Sequence, residues 1–291
     1  MPRRISCCRL LLVCWFCGMG TTQLWAENWR KLTKEIYGED PVAAQAARDR
    51  SSKLVEELNL AATAVVQAEL PRIVELFEDG RPLFRQNGAA MIASLAYLRS
   101  DGEQILKPIA PLLLSLFEDK DPMIRENAIL SIALARPRPP AAAVDALRSA
   151  LNLSGGDVRR AREFAAGALV RLSDVEPEAK RSVVEFLRSP RPAKELVLAL
   201  DGVVAAGGAQ FHASVGVELL EAVGDLVESS DDKVGLTATR VLRDQIQAKN
   251  GDARFRQLAG PVLERAGRNE GLSAARREAA REAMKLLLRA P

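Results

Sequence analysis

An all-α, stacked-repeat fold, an α-solenoid of about six to seven helical hairpins, is predicted by three features of this sequence. Residues 70–127 carry one pattern twice, forty residues apart. Pro71, Leu76-Phe77-Glu78-Asp79, Pro82, Arg85 and Asn87 recur as Pro111, Leu116-Phe117-Glu118-Asp119, Pro122, Arg125 and Asn127. A fixed period of this size marks units that cover one another's apolar faces. Hydrophobic residues make up 48% of the chain but aromatics only 4%, so the core is built from Ala, Leu, Val and Ile, in a composition that favours helices. No sustained two-residue alternation of β-branched and aromatic residues, the mark of a half-buried strand, is present.

Residues 1–26 have the layout of a secretory signal peptide. Arg3 and Arg4 form a positive head, an apolar run extends from Leu10 to Met19, and Leu24-Trp25-Ala26 ends on a small residue. The run is shorter than the roughly 20 residues of a membrane span, so membrane attachment is expected only if this segment stays uncleaved as an anchor. All four cysteines (Cys7, Cys8, Cys14, Cys17) lie within it. The remaining 27–291 then form one repeat domain with no disulfide, thiolate metal site or cysteine nucleophile. The formal charge of +3 also comes from this segment, which holds Arg3, Arg4 and Arg9 and no acid. From Glu27 onward 38 basic residues face 38 acidic ones. A nucleic-acid binder needs a surplus of cations to displace counterions, so no nucleic-acid partner is expected.

The elements follow in order. Trp29–Tyr37 reads as a short helix, stopped by Gly38 and restarted by Asp40-Pro41, with Asp as cap and Pro at the first helical position. Helices are expected from Pro41 toward Leu58 and from Ala61 to Asp79. Ser100 and Glu103 form a capping-box pattern, after which Ile105, Ile109, Leu112, Leu113 and Leu116 share one helical face. Pro71 and Pro111 sit inside such patterns and predict kinks. Asp121-Pro122 opens the next helix, apolar on two sides through Ile124, Ala128 and Ile132 on one and Leu130 and Leu134 on the other, as an internal repeat requires. Beyond the rigid Pro137–Pro140 break, helices read as 141–151, 158–172, 177–187, 192–206, 213–228, 233–248, 253–266 and 273–288, giving about seven hairpins in all.

The two copies at 70–87 and 110–127 resemble HEAT repeats. That family has a Pro-kinked first helix, a Leu near its end, an Asp in the turn and a hydrophobic-Arg pair opening the second helix. Pro71, Leu76, Asp79, Phe84 and Arg85 match, as do Pro111, Leu116, Asp119, Ile124 and Arg125. The resemblance implies that Asp79, Arg85, Asp119 and Arg125 bond between neighbouring units as a structural ladder, and that second helices line a surface for protein or peptide. It covers most of the chain in period and about eighty residues in motif. Gly156 and Gly235 stand where a turn Asp and a helix Arg belong, which leaves the ladder undefined in the C-terminal half.

Groups for chemistry are few. His212 is the only histidine, beside Gly207 and Gly208, and reads as a surface or capping residue. Asp231-Asp232 reads as a turn and N-cap rather than a calcium site. No phosphate loop or nucleophile elbow is present, and no cofactor or metal is expected. Arg276, Arg277, Arg281 and Lys285 form a candidate positive stripe near the C-terminus, where residues 254–289 hold 9 basic residues against 4 acidic. Arg159 and Arg160, with Arg162, form a second cluster at a helix start, where positive charge is unfavourable. These six, Arg159, Arg160, Arg276, Arg277, Arg281 and Lys285, are the candidate partner-binding residues. The expectation is an exported, periplasmic or extracellular, non-catalytic scaffold with a protein or peptide partner. The alternatives are a HEAT-like lyase or glycosylase and a nucleic-acid binder. The chain's charge and signal segment argue against a glycosylase, which needs a basic groove.

Overall fold

The computed structural model describes residues 41–74, 82–153, 159–206, 216–249 and 253–289, with Lys31 and Glu35. Among these residues there are fourteen α-helices and no strand, as the composition and periodicity predict. The helices are α1 (Pro41–Leu60), α2 (Thr63–Val74), α3 (Pro82–Leu98), α4 (Gly102–Leu106), α5 (Ala110–Ser115), α6 (Pro122–Leu134), α7 (Val144–Leu151) and α8 (Arg159–Leu172). They continue as α9 (Pro177–Arg188), α10 (Ala193–Ala205), α11 (Gly216–Val227), α12 (Asp232–Lys249), α13 (Ala253–Arg268) and α14 (Ala274–Arg289). Short 3₁₀ turns at Leu116–Glu118 and Ala141–Ala143 extend α5 and precede α7. Within the helix expected at 29–37 only Lys31 and Glu35 are described, both helical; the end of the helix expected to reach Asp79, from residue 75 on, and His212 lie outside the described residues.

The chain divides into two compact units, residues 1–131 with 135–137, and residues 132–134 with 138–291. In the first, α3 packs on α1, α2 and α4 through Met91, Ile92, Leu95 and Ala96, all buried. In the second, four hairpins follow one another. Their first helices, α7, α9, α11 and α13, pack in sequence as one row, and their second helices, α8, α10, α12 and α14, as another. A helix inside such a stack has neighbours on several sides, and α12 shows the consequence: Val234, Ala238, Val241, Leu242 and Ile246 are all buried. Few aromatic residues are buried, among them Phe117, Phe186 and Phe255. Small side chains let neighbouring helices of a row approach closely instead. Where α8 crosses α10, a Cβ added to Gly167 would stand 2.8 Å from the Gly202 carbonyl oxygen.

Two local expectations are corrected. The Ser100–Glu103 capping box does not form: α4 begins at Gly102 with Asp101 as its N-cap residue, and the Glu103 amide donates 2.7 Å to the Arg136 carbonyl. A tertiary acceptor has replaced the local one. Pro111 does not kink a continuous helix. The chain instead breaks at residues 107–109 and restarts as α5 with Pro111 in its first turn, where a missing amide hydrogen costs nothing. The helix that contains Pro71 runs on to Val74. Pro261 lies within α13, a third first-helix proline.

Candidate interaction surface

Arginines carry most of the polar structure, and the carbonyls they reach explain why. The last four carbonyls of a helix have no intrahelical donor and sit at the negative end of its dipole. Here guanidinium groups from elsewhere in the chain satisfy them. Arg99, 8% exposed, donates from Nη1 to the carbonyls of Leu58 (2.8 Å), Asn59 (2.9 Å) and Ala61 (2.7 Å) at the end of α1. Its other edge grips Asp101 through two bonds of 2.9 Å. Arg162 donates to Leu151 (3.1 Å) and to Leu153 at the end of α7. Arg171 caps α6 through the Ala133 carbonyl. Arg276 donates 2.6 Å to the Val227 carbonyl, the last of α11, and Arg281 donates 3.1 Å to Gly267 in the last turn of α13. The planar, five-donor fork of arginine suits such multiple capping in a way that lysine does not.

This geometry relocates the predicted partner-binding residues. Arg276 is a correction: it is 3% exposed and is not part of a solvent-facing stripe. Its guanidinium occupies the space that a side chain on Gly235 would fill and meets Asp232 Oδ1 at 3.2 Å. The position on α12 where the HEAT-like pattern would place an arginine is therefore filled by an arginine from the next hairpin. Arg277 is half-buried and donates to the carbonyls of Glu270 (3.2 Å) and Leu272 (2.6 Å). Arg281 and Lys285 are exposed but paired along their own helix, with Glu278 at 3.5 Å and Glu282 at 2.6 Å. The Lys285 hydrogen bond and charge hold the Glu282 carboxyl below its ordinary value, and Glu282 raises the Lys285 pKa in turn. In the other cluster, Arg160 is exposed with its guanidinium 5.5 Å from the Phe164 ring centre. The Arg159 side chain lies outside the described residues. Arg162, which made this cluster look misplaced at a helix start, is 3% exposed and turned back onto α7, with Glu195 of α10 at 3.4 Å. Burial lowers its pKa, against the pull of Glu195, yet an arginine stays charged.

Of the expected ladder, Arg85 Nη2 meets Asp119 Oδ2 of the following copy. Asp119 Oδ1 also accepts the Asp121 amide at 2.9 Å. Arg125 donates 2.7 Å to the Asp119 carbonyl, turning inward to its own loop rather than toward a neighbour's carboxylate. Asp79 lies outside the described residues. In the second unit every junction within each row carries an acid–base pair that the repeat motif did not disclose. On the first-helix row these are Arg148–Glu178 (3.6 Å), Arg188–Glu221 (3.5 Å) and Arg265–Glu228 (3.6 Å). On the second-helix row they are Arg162–Glu195, Arg240–Asp201 (4.0 Å) and Arg276–Asp232. The usable signal was period alone: each pair joins residues roughly one repeat apart, whatever their place in the motif.

Asp231 Oδ1 accepts the amides of Lys233 (2.9 Å) and Val234 (3.1 Å), so this acid caps α12. Among the described residues no group of three or more His, Cys, Asp or Glu could hold a metal ion. No described helix is long and apolar enough to cross a membrane. A groove of about 770 Å³ runs along α9, lined by Lys180, Arg181, Val184, Glu185 and Arg188 among others. Its charges are already matched by Glu218, Glu178, Glu221 and Asp225.

The protein is an all-α array of helical hairpins, a repeat fold with which the HEAT-like motif is compatible. No protein-family profile matches the chain, and no curated protein does. Solved structures that it resembles include a designed armadillo repeat protein in complex with the peptide (KR)4, at 15% identity and a TM-score of 0.40, covering 88% of this chain and 98% of that one. A computationally designed armadillo repeat protein for modular peptide recognition matches at 17% identity and 0.37, with the same coverages. An engineered protein matches at 18% and 0.44, covering 91% of this chain and 69% of its own.

Proposed function

We propose that this protein is an exported, non-catalytic scaffold that binds a protein or peptide partner along the exposed face of its second helices. One observation carries the reading. The arginines best placed to serve chemistry or recognition, Arg99, Arg162 and Arg276, are occupied by helix carbonyls and by the carboxylates of Asp101, Glu195 and Asp232. What remains toward solvent on α10 and α12 is a regular set of side chains, of which Lys194 and Lys233 make no ion pair among the described residues. A stack of hairpins presents such a face preformed, so a partner ordering against it loses its own freedom but not the scaffold's. Export rests on the layout of residues 1–26.

Affinity purification of the tagged protein from its native envelope fraction, after brief crosslinking, tests the binding role. One stoichiometric protein partner is the expected result. Recovery of a small molecule with no protein would overturn it. Fractionation tests export separately, and recovery of the uncleaved chain in the cytoplasm would refute it.

A further inference from the structure

The inference concerns the chemistry of the partner and rests on the scaffold reading above. Asp201 of α10 and Arg240 of α12 lie side by side, at 4.0 Å, and are 39 residues apart in sequence. The same step of 39 relates Lys194 to Lys233 and Val197 to Leu236. The two helices therefore repeat one surface in register: a lysine in the first turn, a half-buried aliphatic residue one turn on, and a further charge beyond it.

The charges on this surface balance in number but not in pairing. Lys194, Lys233 and Arg240 are exposed, whereas Asp201 and Asp244 are only partly so. Both acids are engaged: Asp244 by Arg243 at 2.9 Å and by Arg240 at 3.8 Å, and Asp201 by Arg240. The acids beside Lys233 are engaged as well, Asp231 by helix amides and Asp232 by the buried Arg276. Lys194 and Lys233 have no ion pair among the described residues. Each is the second residue of its helix, where a positive charge works against the macrodipole. A carboxylate from outside the fold would answer both the ammonium groups and the helix ends.

We propose that the ridge formed by Lys194 and Val197 of α10 with Lys233, Leu236 and Arg240 of α12 binds an extended, acidic polypeptide segment. Neighbouring packed helices stand roughly 10 Å apart, and a chain in the extended polyproline II conformation advances about 3.1 Å per residue with three residues per turn, so that every third side chain shares one face. A segment crossing the two helices thus presents carboxylates three residues apart to Lys194 and Lys233. An apolar side chain between them falls toward Val197 and Leu236. The contact is electrostatic in its selection of partner and apolar in its register.

The test uses the full protein and a fluorescein-labelled twelve-residue peptide with Glu at every third position and Leu between. An otherwise identical peptide with Lys for Glu is the second probe. Fluorescence anisotropy at low ionic strength is expected to show binding of the Glu peptide that weakens as salt rises, with little binding of the Lys peptide. The variant K194E/K233E lowers the affinity for the Glu peptide by about tenfold. Arg181→Glu, on the opposite row, leaves it unchanged. A carboxylate in the first turn is favoured by the helix dipole, so K194E/K233E keeps its fold, which an unchanged Tm verifies. Preference for the Lys peptide, no binding of either peptide, or equal affinities of wild type and K194E/K233E each overturn the acidic-partner assignment. The scaffold reading itself is decided separately, by recovery of a protein partner from the envelope fraction.

Discussion

Gly202→Ala is the most direct test of how the second helices are held. Gly202 is buried in the last turn of α10, and replacing glycine by alanine in a helix gains up to about 1 kcal/mol in propensity. Against this, the added Cβ falls well inside contact distance of the Glu163 carbonyl oxygen and 3.0 Å from Ala166 Cβ. Carbon–oxygen approaches closer than about 3.3 Å are repulsive. Because the obstruction is backbone, no rotamer change relieves it, and α8 and α10 must separate. Overpacking of this kind costs typically 1–3 kcal/mol, and the rigid obstacle puts Gly202 at the upper end. The net effect is a destabilisation of about 2 kcal/mol, or a fall of roughly 4–8 °C in Tm for a unit of this size. Gly224→Ala is the matched control, since its Cβ would meet Val262 Cγ2 at an ordinary 3.5 Å. The same chemical change there is expected to stabilise by about 0.5–1 kcal/mol. Thermal and urea unfolding followed by circular dichroism read both variants. If Gly202→Ala matched or exceeded the wild type, the close crossing of α8 and α10 would be wrong.

Three further outcomes are expected. Arg162→Ala leaves two carbonyls without their donor and Glu195 with Arg191 alone, at 3.9 Å, and lowers stability by about 3 kcal/mol; Arg162→Lys recovers less than half of that, because an ammonium cannot reproduce the fork, as urea midpoints will show. Gly235→Ala displaces the Arg276 guanidinium and destabilises, whereas in an Arg276→Ala background the same change is neutral or favourable, a coupling that a double-mutant cycle measures. The Arg99 hydrogen bond, reinforced by the Thr63 hydroxyl and opposed by burial, holds the Asp101 carboxyl below its ordinary value of 3.8. A carboxylate whose folded pKa lies below its unfolded one contributes stability that is complete above the unfolded value and is lost as pH falls through the folded one. Stability is therefore expected to decline below about pH 4, and Asp101→Asn reduces that slope in acid titrations of the unfolding midpoint.

The helices themselves were legible. Apolar spacing, the Asp121-Pro122 start and the capping Asp231 are local signals, and the observed bounds from α7 to α14 stay within a few residues of those read from the pattern. The Ser100–Glu103 box was legible too, and misleading, because the Glu103 amide found the Arg136 carbonyl some thirty residues away. The candidate site was the least legible part. Arg276, Arg277, Arg281 and Lys285 form one basic run in the sequence, but Arg276 is buried against Gly235 while Lys285 lies in solvent beside Glu282.

Sequence alone determined the secondary structure, the period and the aliphatic core, because each depends on which residues stand three, four or forty positions apart. Only the tertiary structure decided which charges the fold consumes and which it leaves to solvent. An arginine's role is set by the carbonyl or carboxylate within reach of its guanidinium, and those acceptors lie on other elements, from the preceding turn or helix to one a full repeat away. Lys194 and Lys233 look like any other surface lysines in the sequence. Their meaning comes from the neighbouring acids already having partners.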